Sequence, residues 1–332
     1  MLIYILAFII TLVLSLVIMP RVAAFFIKID FTDKPTERKK HKKPIPLSGG
    51  PAMFIAFAIC FIVFVIILDV PDLPADPIFP EFLSFPAVLL GAAMILGIGL
   101  IDDYSKTKGK EFPVWPRIVV YLAAASLAFF AGIRFTGFHN PFTDQYILLN
   151  IWVQYILTVL WFVGLIIAFN FMDGLDGLCG LLALVSGTTF FILAIIMQQP
   201  QSAVLSAIFI AAIIGFLRFN LPPAKVFMGD SGAYLLGFLL ATISLHGTFK
   251  QATVISLLVP VLAMGVPIFD GVLVVIRRIL ARKPAHVADS TNITHIHFRL
   301  LKDGMKPSHA VTLIILLSAC LNLASIIIML VF

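Results

Sequence analysis

Three short stretches of an otherwise apolar chain carry closely spaced carboxylates: Asp102-Asp103, Asp173-Gly174-Leu175-Asp176 and Gly229-Asp230-Ser231-Gly232. Adjacent carboxylates repel one another unless a cation or a shared proton separates them. Asp102 and Asp103 follow a glycine-rich run, and Lys106, Lys108, Lys110 and Arg117 come soon after. Those cations could neutralise the pair or meet a phosphate; a solvated helix end is the plainer reading. In Asn170-Phe-Met-Asp173-Gly-Leu-Asp176-Gly177, two Asp-Gly steps read as a tight loop opening a helix. Glycine permits the turn and close backbone approach, and free amides at a helix start suit a phosphate or a uracil carbonyl. Asn170 and both carboxylates could face one pocket, and an N-cap at Asp176 is the alternative.

Two further loops have chemical potential. Asn220-Leu-Pro-Pro-Ala-Lys225-Val-Phe-Met-Gly-Asp230 repeats the construction: Pro222 and Pro223 stiffen the approach, Lys225 supplies a cation, and Asp230 stands at a helix start, where capping alone would also explain it. His295-Ile-His297-Phe-Arg299 lies in a basic loop. Imidazole and guanidinium donate well to pyrophosphate oxygens. The histidine pair could instead hold a transition metal, although no third His or Cys stands at a suitable spacing. The charge run from Asp33 to Lys43, which includes Lys42, is usually topology and lipid contact. It leads into Pro44-Ile-Pro46-Leu-Ser-Gly49-Gly50, a rigid approach to a shaped loop.

The elements that must position these residues are membrane helices. The chain is 61% hydrophobic and 12% charged, against roughly 45–50% and 25% in soluble domains. Apolar runs long enough to cross a ~30 Å hydrocarbon core recur throughout. They fall at 2–27, 49–68, 85–101, 117–136, 147–169, 178–197, 202–217, 231–249, 252–280 and 309–331. The expected fold is all-α, polytopic, with about ten transmembrane helices in one integral-membrane domain over 1–332. The first run has no charged leader and no small-residue cleavage site, so it reads as a retained helix. Segment 252–280 contains Pro260, Gly265, Pro267 and Gly271 and should be kinked or broken.

Of 23 Lys and Arg, only Arg134 and Lys250 then fall on the side carrying the termini. The positive-inside rule places the opposite face in the cytoplasm and both termini outside. Loops 28–48, 102–116, 170–177, 218–230 and 281–308, which hold every candidate residue but Arg117 at the adjoining start of a span, share the cytoplasmic face. The net charge of +6 therefore records topology and contact with anionic groups rather than nucleic acid. Cys60, Cys179 and Cys320 form no disulfide framework or zinc-like spacing and read as structural. No long-period repeat is visible, whereas many secondary transporters are built on an inverted one. An acidic cluster gathered beside a bilayer points to metal-dependent chemistry on a phosphorylated, membrane-embedded substrate.

In order along the chain, these loops resemble the polyprenyl-phosphate N-acetylhexosamine-1-phosphate transferase family. The motifs are Lys34-Pro…Arg38-Lys-Lys-His41…Pro44-Ile-Pro46…Gly49-Gly50, Asp102-Asp103, Asn170…Asp173-Gly-Leu-Asp176-Gly-Leu and Pro223-Ala-Lys225-Val-Phe-Met-Gly-Asp230. Pro267-Ile-Phe-Asp270…Arg277-Arg278 and His295-Ile-His297-Phe-Arg299-Leu complete the series. The last is similar to the His-x-His-His-Arg-Leu form of the undecaprenyl-phosphate GlcNAc-1-phosphate branch, with Phe298 in place of a histidine; Ala233 stands where the family often has Ser.

The resemblance implies attack by undecaprenyl phosphate on the β-phosphate of a UDP-N-acetylhexosamine, GlcNAc by default. UMP would be released in the first membrane step of a cell-envelope polysaccharide such as teichoic acid or O-antigen. It implies a multi-pass protein of the bacterial inner membrane with its active site facing the cytoplasm, and it allows a homodimer. It also implies Mg²⁺, with Mn²⁺ an allowed substitute, on Asp230 and Asn170. The catalytic set would be Asp102, Asp103, Asp230, His297 and Arg299. Lys42, Asp173, Asp176, Asn220, Arg117 and His295 would bind substrate, with Lys42, Asp173 and Asp176 at the uridine end. Repulsion between two anionic phosphates is the first barrier, which a cation, Arg299, a histidine and Arg117 would offset. Asp102 or Asp103 would position the lipid phosphate or take its proton, and a covalent aspartyl-phosphate route stays open. The rival class is a transporter or flippase, which places ionisable groups within spans near the midplane. A purely structural scaffold would leave the acidic-glycine loops without a reason.

Overall fold

The computed structural model describes residues 1–35, 43–67, 84–139, 145–246, 258–280 and 295–331. Its helices are α1 (Leu2–Lys28), α2 (Gly49–Phe61, continued by a π-helical turn, Ile62–Ile67), α3 (Ser84–Thr107), α4 (Val114–Phe130), α5 (Ile151–Met172) and α6 (Leu178–Ile196). They continue with α7 (Pro200–Asn220), α8 (Gly229–His246), α9 (Leu258–Ala263), α10 (Gly265–Leu280), α11 (Ile296–Lys302) and α12 (Pro307–Val331). Six of these, α1, α3, α5, α6, α7 and α12, are long and apolar enough to cross a membrane, and α2 and α4 are shorter apolar helices. The chain is a helical multi-pass membrane protein. Helices suit that setting because they satisfy their own backbone polar groups in hydrocarbon.

The described strands form two small antiparallel ribbons, which the all-α expectation did not include. In the first, β1 (Thr32–Asp33) pairs β2 (Ile45–Pro46), with Thr32 opposite Pro46. In the second, β3 (Gly137–His139) pairs β4 (Tyr146–Leu148), with Phe138 opposite Ile147.

Burial falls off outward from α7 and α8. Every residue from Ser231 to Leu245 of α8 is buried. The apolar stretch of α7 is 83% buried, against 22% for α1 and for α12. Helix α8 packs on α2, α3 and α5, while α7 packs on α1, α2 and α6. Lipid tails are as apolar as leucine, so such packing relies on close approach at small residues. At Gly99 of α3, a β-carbon would come within 2.4 Å of the Ser231 Cα. That contact brings the end of α3 against the start of α8, where the acidic residues lie.

Where the residues are described, the apolar runs read from the sequence coincide largely with helices, but several boundaries move. The 252–280 run breaks between α9 and α10, as its prolines and glycines suggest. Helix α3 does not stop at Ile101; it runs through Asp102 and Asp103 to Thr107, because partners on neighbouring helices offset the buried charges. Asn170 lies inside α5, and His297 and Arg299 lie in a short helix rather than a loop.

Candidate active site

The residues that matter first sit where α3 ends, α8 begins and α4 starts. Asp102 and Asp103 are 1% and 2% exposed. Successive residues of a helix point about 100° apart, so the two carboxylates address different neighbours. Asp103 faces α8: one oxygen accepts the Asp230 N–H at 2.8 Å and the other accepts the Ser231 N–H at 3.0 Å. The first amides of a helix have no partner of their own, and a carboxylate there is favoured by the helix dipole. Asp103 therefore caps α8 from a different helix, which corrects the reading of Asp230 as its own cap. Gly229 makes this possible: its φ is +70°, and a β-carbon there would lie 2.5 Å from the Asp103 Oδ2.

Asp102 turns instead toward α4 and the second turn of α8. Its Oδ2 accepts from the Arg117 guanidinium at 2.9 Å and from the Tyr234 hydroxyl at 2.9 Å. The same hydroxyl lies 3.2 Å from the Asp230 Oδ2 and accepts from Arg117 at 3.2 Å. Lys106, one turn beyond Asp102, completes the network with an ion pair to Asp230. A phenol has one proton, so Tyr234 can donate to only one of the two carboxylates at a time. Tyr234 escaped the sequence reading. The available signal was its place four residues after Asp230, on the same helix face.

The two glycine-bearing loops are tied to each other. Asp176 accepts the Ala224 N–H at 3.2 Å. Asn220 accepts the Gly177 N–H at 2.9 Å and donates to the Val226 carbonyl at 2.9 Å. Asp176 is thus not the N-cap of α6; Gly177, at φ +79°, holds that position. The Asp173 and Asn170 side chains make no hydrogen bond among the described residues. Asp173 opens to solvent on one side, yet desolvation by the surrounding protein and then the Asp230 charge raise its carboxyl to about 7.

Above this loop lies α11. His297 is fully buried, with its ring on Gly174: a β-carbon at that glycine would be 2.3 Å from the His297 Nε2. Neither ring nitrogen has a hydrogen-bond partner among the described residues. Burial, then the neighbouring His295, hold His297 down at about 4, so it is neutral near pH 7. His295 stacks on His297 at 5.8 Å and lies 4.8 Å from the Phe171 ring. Both rings are buried, while Arg299 is exposed. Beside this corner, α5 and α10 border an apolar groove of about 390 Å³, lined in part by Leu160, Trp161, Phe171, Ile268, Val272 and Val275.

The structure therefore brings Asp102, Asp103, Asp230 and Arg117 into one network. Asp173 feels the Asp230 charge, the Ala224–Asp176 and Gly177–Asn220 bonds tie the neighbouring loops together, and His297 presses on Gly174. Lys42 lies outside the described residues. Among the described residues no three His, Cys, Asp or Glu side chains are grouped to enclose a metal. Mg²⁺ needs no such cage, since it is usually held by one or two carboxylates with water and phosphate in its other positions. Asp230 fits that requirement: its Oδ2 is taken by Lys106 and Tyr234, and its Oδ1 has no hydrogen bond among the described residues.

Residues 85–248, which contain the acidic network and both glycine loops, match glycosyl transferase family 4. A Bacillus subtilis (strain 168) protein named "Probable undecaprenyl-phosphate N-acetylglucosaminyl 1-phosphate transferase" is 34% identical over 321 residues, covering 97% of this chain and 84% of that one. A Mycobacterium leprae decaprenyl-phosphate N-acetylglucosaminephosphotransferase is 32% identical, over 85% of this chain and 73% of its own. The phospho-N-acetylmuramoyl-pentapeptide-transferase of Staphylococcus carnosus is 31% identical, over 73% and 74%. With the motifs in order and the relatives aligned along most of its length, the chain belongs to glycosyl transferase family 4, the polyprenyl-phosphate hexosamine-1-phosphate transferases.

Proposed function

We propose that this protein transfers N-acetylhexosamine-1-phosphate, GlcNAc-1-phosphate by default, from the UDP-sugar to undecaprenyl phosphate and releases UMP. The observation that carries the reading is the single network of Asp102, Asp103, Asp230, Arg117 and Lys106 at the end of an apolar bundle, in a chain of this family. The charge run and loop placement support ten crossings, both termini outside, and a site on the cytoplasmic face of a bacterial inner membrane. The product would open a cell-envelope polysaccharide.

Both reactants are phosphate anions, so the site must first reduce their repulsion. Arg117 and Lys106 supply fixed positive charge, and exposed Arg299 would add a bidentate donor. Mg²⁺, held by Asp230 with Asn170 and water, would supply further charge neutralisation on the pyrophosphate. Asp103 fixes the start of α8 and so aims Asp230. Asp102, already accepting from Arg117 and Tyr234, orients Arg117 toward the lipid phosphate rather than acting as an obligatory base. A phosphate monoester is largely ionised at pH 7 without help. Asp173, Gly174 and the locked Asp176 form the wall assigned to the uridine end. The apolar groove between α5 and α10 is the right chemistry for the isoprenoid chain.

The test is direct. Purified protein is incubated with undecaprenyl phosphate and a panel of UDP-sugars, with and without Mg²⁺, and UMP is measured. Mg²⁺-dependent UMP release with one UDP-N-acetylhexosamine is expected. Release with none of them, or ion-linked flux in proteoliposomes without UMP, would overturn the assignment.

A further inference from the structure

The buried carboxylate that the reaction scheme leaves unused is Asp270, in the second turn of α10 and 5% exposed. Its Oδ2 is 2.8 Å from the His295 Nδ1, and its Oδ1 accepts the Ile296 N–H at 2.8 Å. One carboxylate thus performs two tasks across 25 positions of chain. It caps the start of α11, where the N-cap residue His295 offers no side-chain bond of its own, and it grips one nitrogen of His295. We propose that Asp270 is a positioning residue of the transfer reaction, fixing the tautomer and direction of His295 so that the Nε2 serves a phosphate oxygen or proton at the acceptor end. The inference rests on the function proposed above.

The argument is one of valence. A carboxylate only accepts, so the His295 Nδ1 bonded to it must carry the proton. A neutral His295 then has its lone pair on Nε2, and a charged one has a second N–H there. The ring cannot rotate away: Phe171 packs at 4.8 Å and His297 stacks at 5.8 Å. His297 has no comparable holder, since neither of its nitrogens is bonded among the described residues. Of the two histidines, His295 is the one with a ring nitrogen held by a hydrogen bond. Phe171 also lines the apolar groove, so the ring against His295 is shared with the groove wall.

The two tasks of Asp270 can be separated. Asp270→Asn keeps one oxygen for the Ile296 N–H but turns an amide NH₂ toward His295, which reverses its tautomer. Ile296→Pro does the opposite: it removes the N–H, together with part of an apolar side chain packed on the core, and leaves the Asp270–His295 contact, at a first-helical position where proline is tolerated. UMP release, thermal melting, and labelling of His295 by diethyl pyrocarbonate (read by mass spectrometry) are followed in each variant. Asp270→Asn should lower kcat at least about tenfold, as expected when a carboxylate that sets a histidine tautomer is lost, with little change in melting. Ile296→Pro should retain kcat. In a His295→Ala background, Asp270→Asn should cost nothing further. The labelling rate of His295 should change severalfold in Asp270→Asn and stay constant in Ile296→Pro.

An unchanged kcat in Asp270→Asn would overturn the proposal. So would an equal loss in Ile296→Pro, a loss undiminished by removal of His295, or an unaltered labelling rate. A wild-type protein that releases no UMP with any sugar sinks the transferase reading instead, and the labelling comparison still decides whether Asp270 holds His295.

Discussion

The acidic network of α3, α4 and α8 and the histidine corner of α5, α10 and α11 are built on opposite principles. In the network, each carboxylate already has donors: Asp103 two amides, Asp102 Arg117 and Tyr234, Asp230 Lys106 and Tyr234. In the corner, hydrogen-bonding capacity is unspent: both nitrogens of His297 are buried without partners and Arg299 points to solvent. Buried polar groups without partners cost roughly 1–3 kcal/mol each, so the corner is the place where a bound ligand gains most by supplying bonds. Apart from the Asp230 Oδ1 and the buried Arg117 Nε, which are still open among the described residues, the network is paired before substrate arrives and has little left to reorganise, which is how electrostatic stabilisation becomes cheap at the reacting atoms.

The contrast is sharpened most by removing Asp230. Asp230→Ala should reduce Mg²⁺-dependent UMP release by at least about a hundredfold, in line with losing a group aimed at developing charge, with a folded protein by size-exclusion chromatography. Full activity would take Asp230 out of the site. Asp103→Asn comes next, because an amide can accept from only one of the two α8 N–H groups and turns its own NH₂ toward the other. A buried unsatisfied donor costs about 1–3 kcal/mol, so melting in detergent should fall together with activity. A variant that loses turnover at unchanged stability would give Asp103 a direct chemical role instead of the capping role.

Tyr234→Phe is milder. It removes one hydroxyl shared by two carboxylates and an arginine, worth about 1 kcal/mol of stability, and a several-fold fall in kcat with unchanged donor KM is expected. The smallest effect concerns His297. Its folded-state value, about 4, is below the 6.5 of a free imidazole. The folded protein therefore binds fewer protons than the unfolded chain between those values, and stability rises with pH across that window. The stabilisation is present above about pH 6.5 and is lost as pH falls toward 4. His297→Phe should flatten that part of the melting profile; an identical profile would mean that His297 is not buried neutral.

Much of this was legible in the sequence because membrane helices announce themselves by hydropathy and because Asp-Gly steps mark helix starts. The break near Gly265 followed from proline and glycine chemistry, and the two glycine loops did come to the same end of the bundle. What was not legible depends on tertiary partners. Asp102 and Asp103 look like a helix terminus by local rules, yet α3 continues because Arg117, Tyr234 and two α8 amides accept them inside. Asp176 and Asn220 look like substrate ligands, and their part in bracing one loop against another was not visible from local sequence. Tyr234 was hidden among the apolar residues of α8, and Asp270 was legible only as part of a motif, since its partner lies 25 residues further on.

Because the aspartate pair sits on an uninterrupted helix, what matters is its angular phase. Deleting a single residue between Gly97 and Ile101 would rotate everything downstream by about 100° relative to the buried part of α3. Tyr104 would then arrive beneath the α8 amides, and Asp103 would swing to where Arg117 waits. The chain could keep every amino acid of its motif, in the same order, and still have dismantled it.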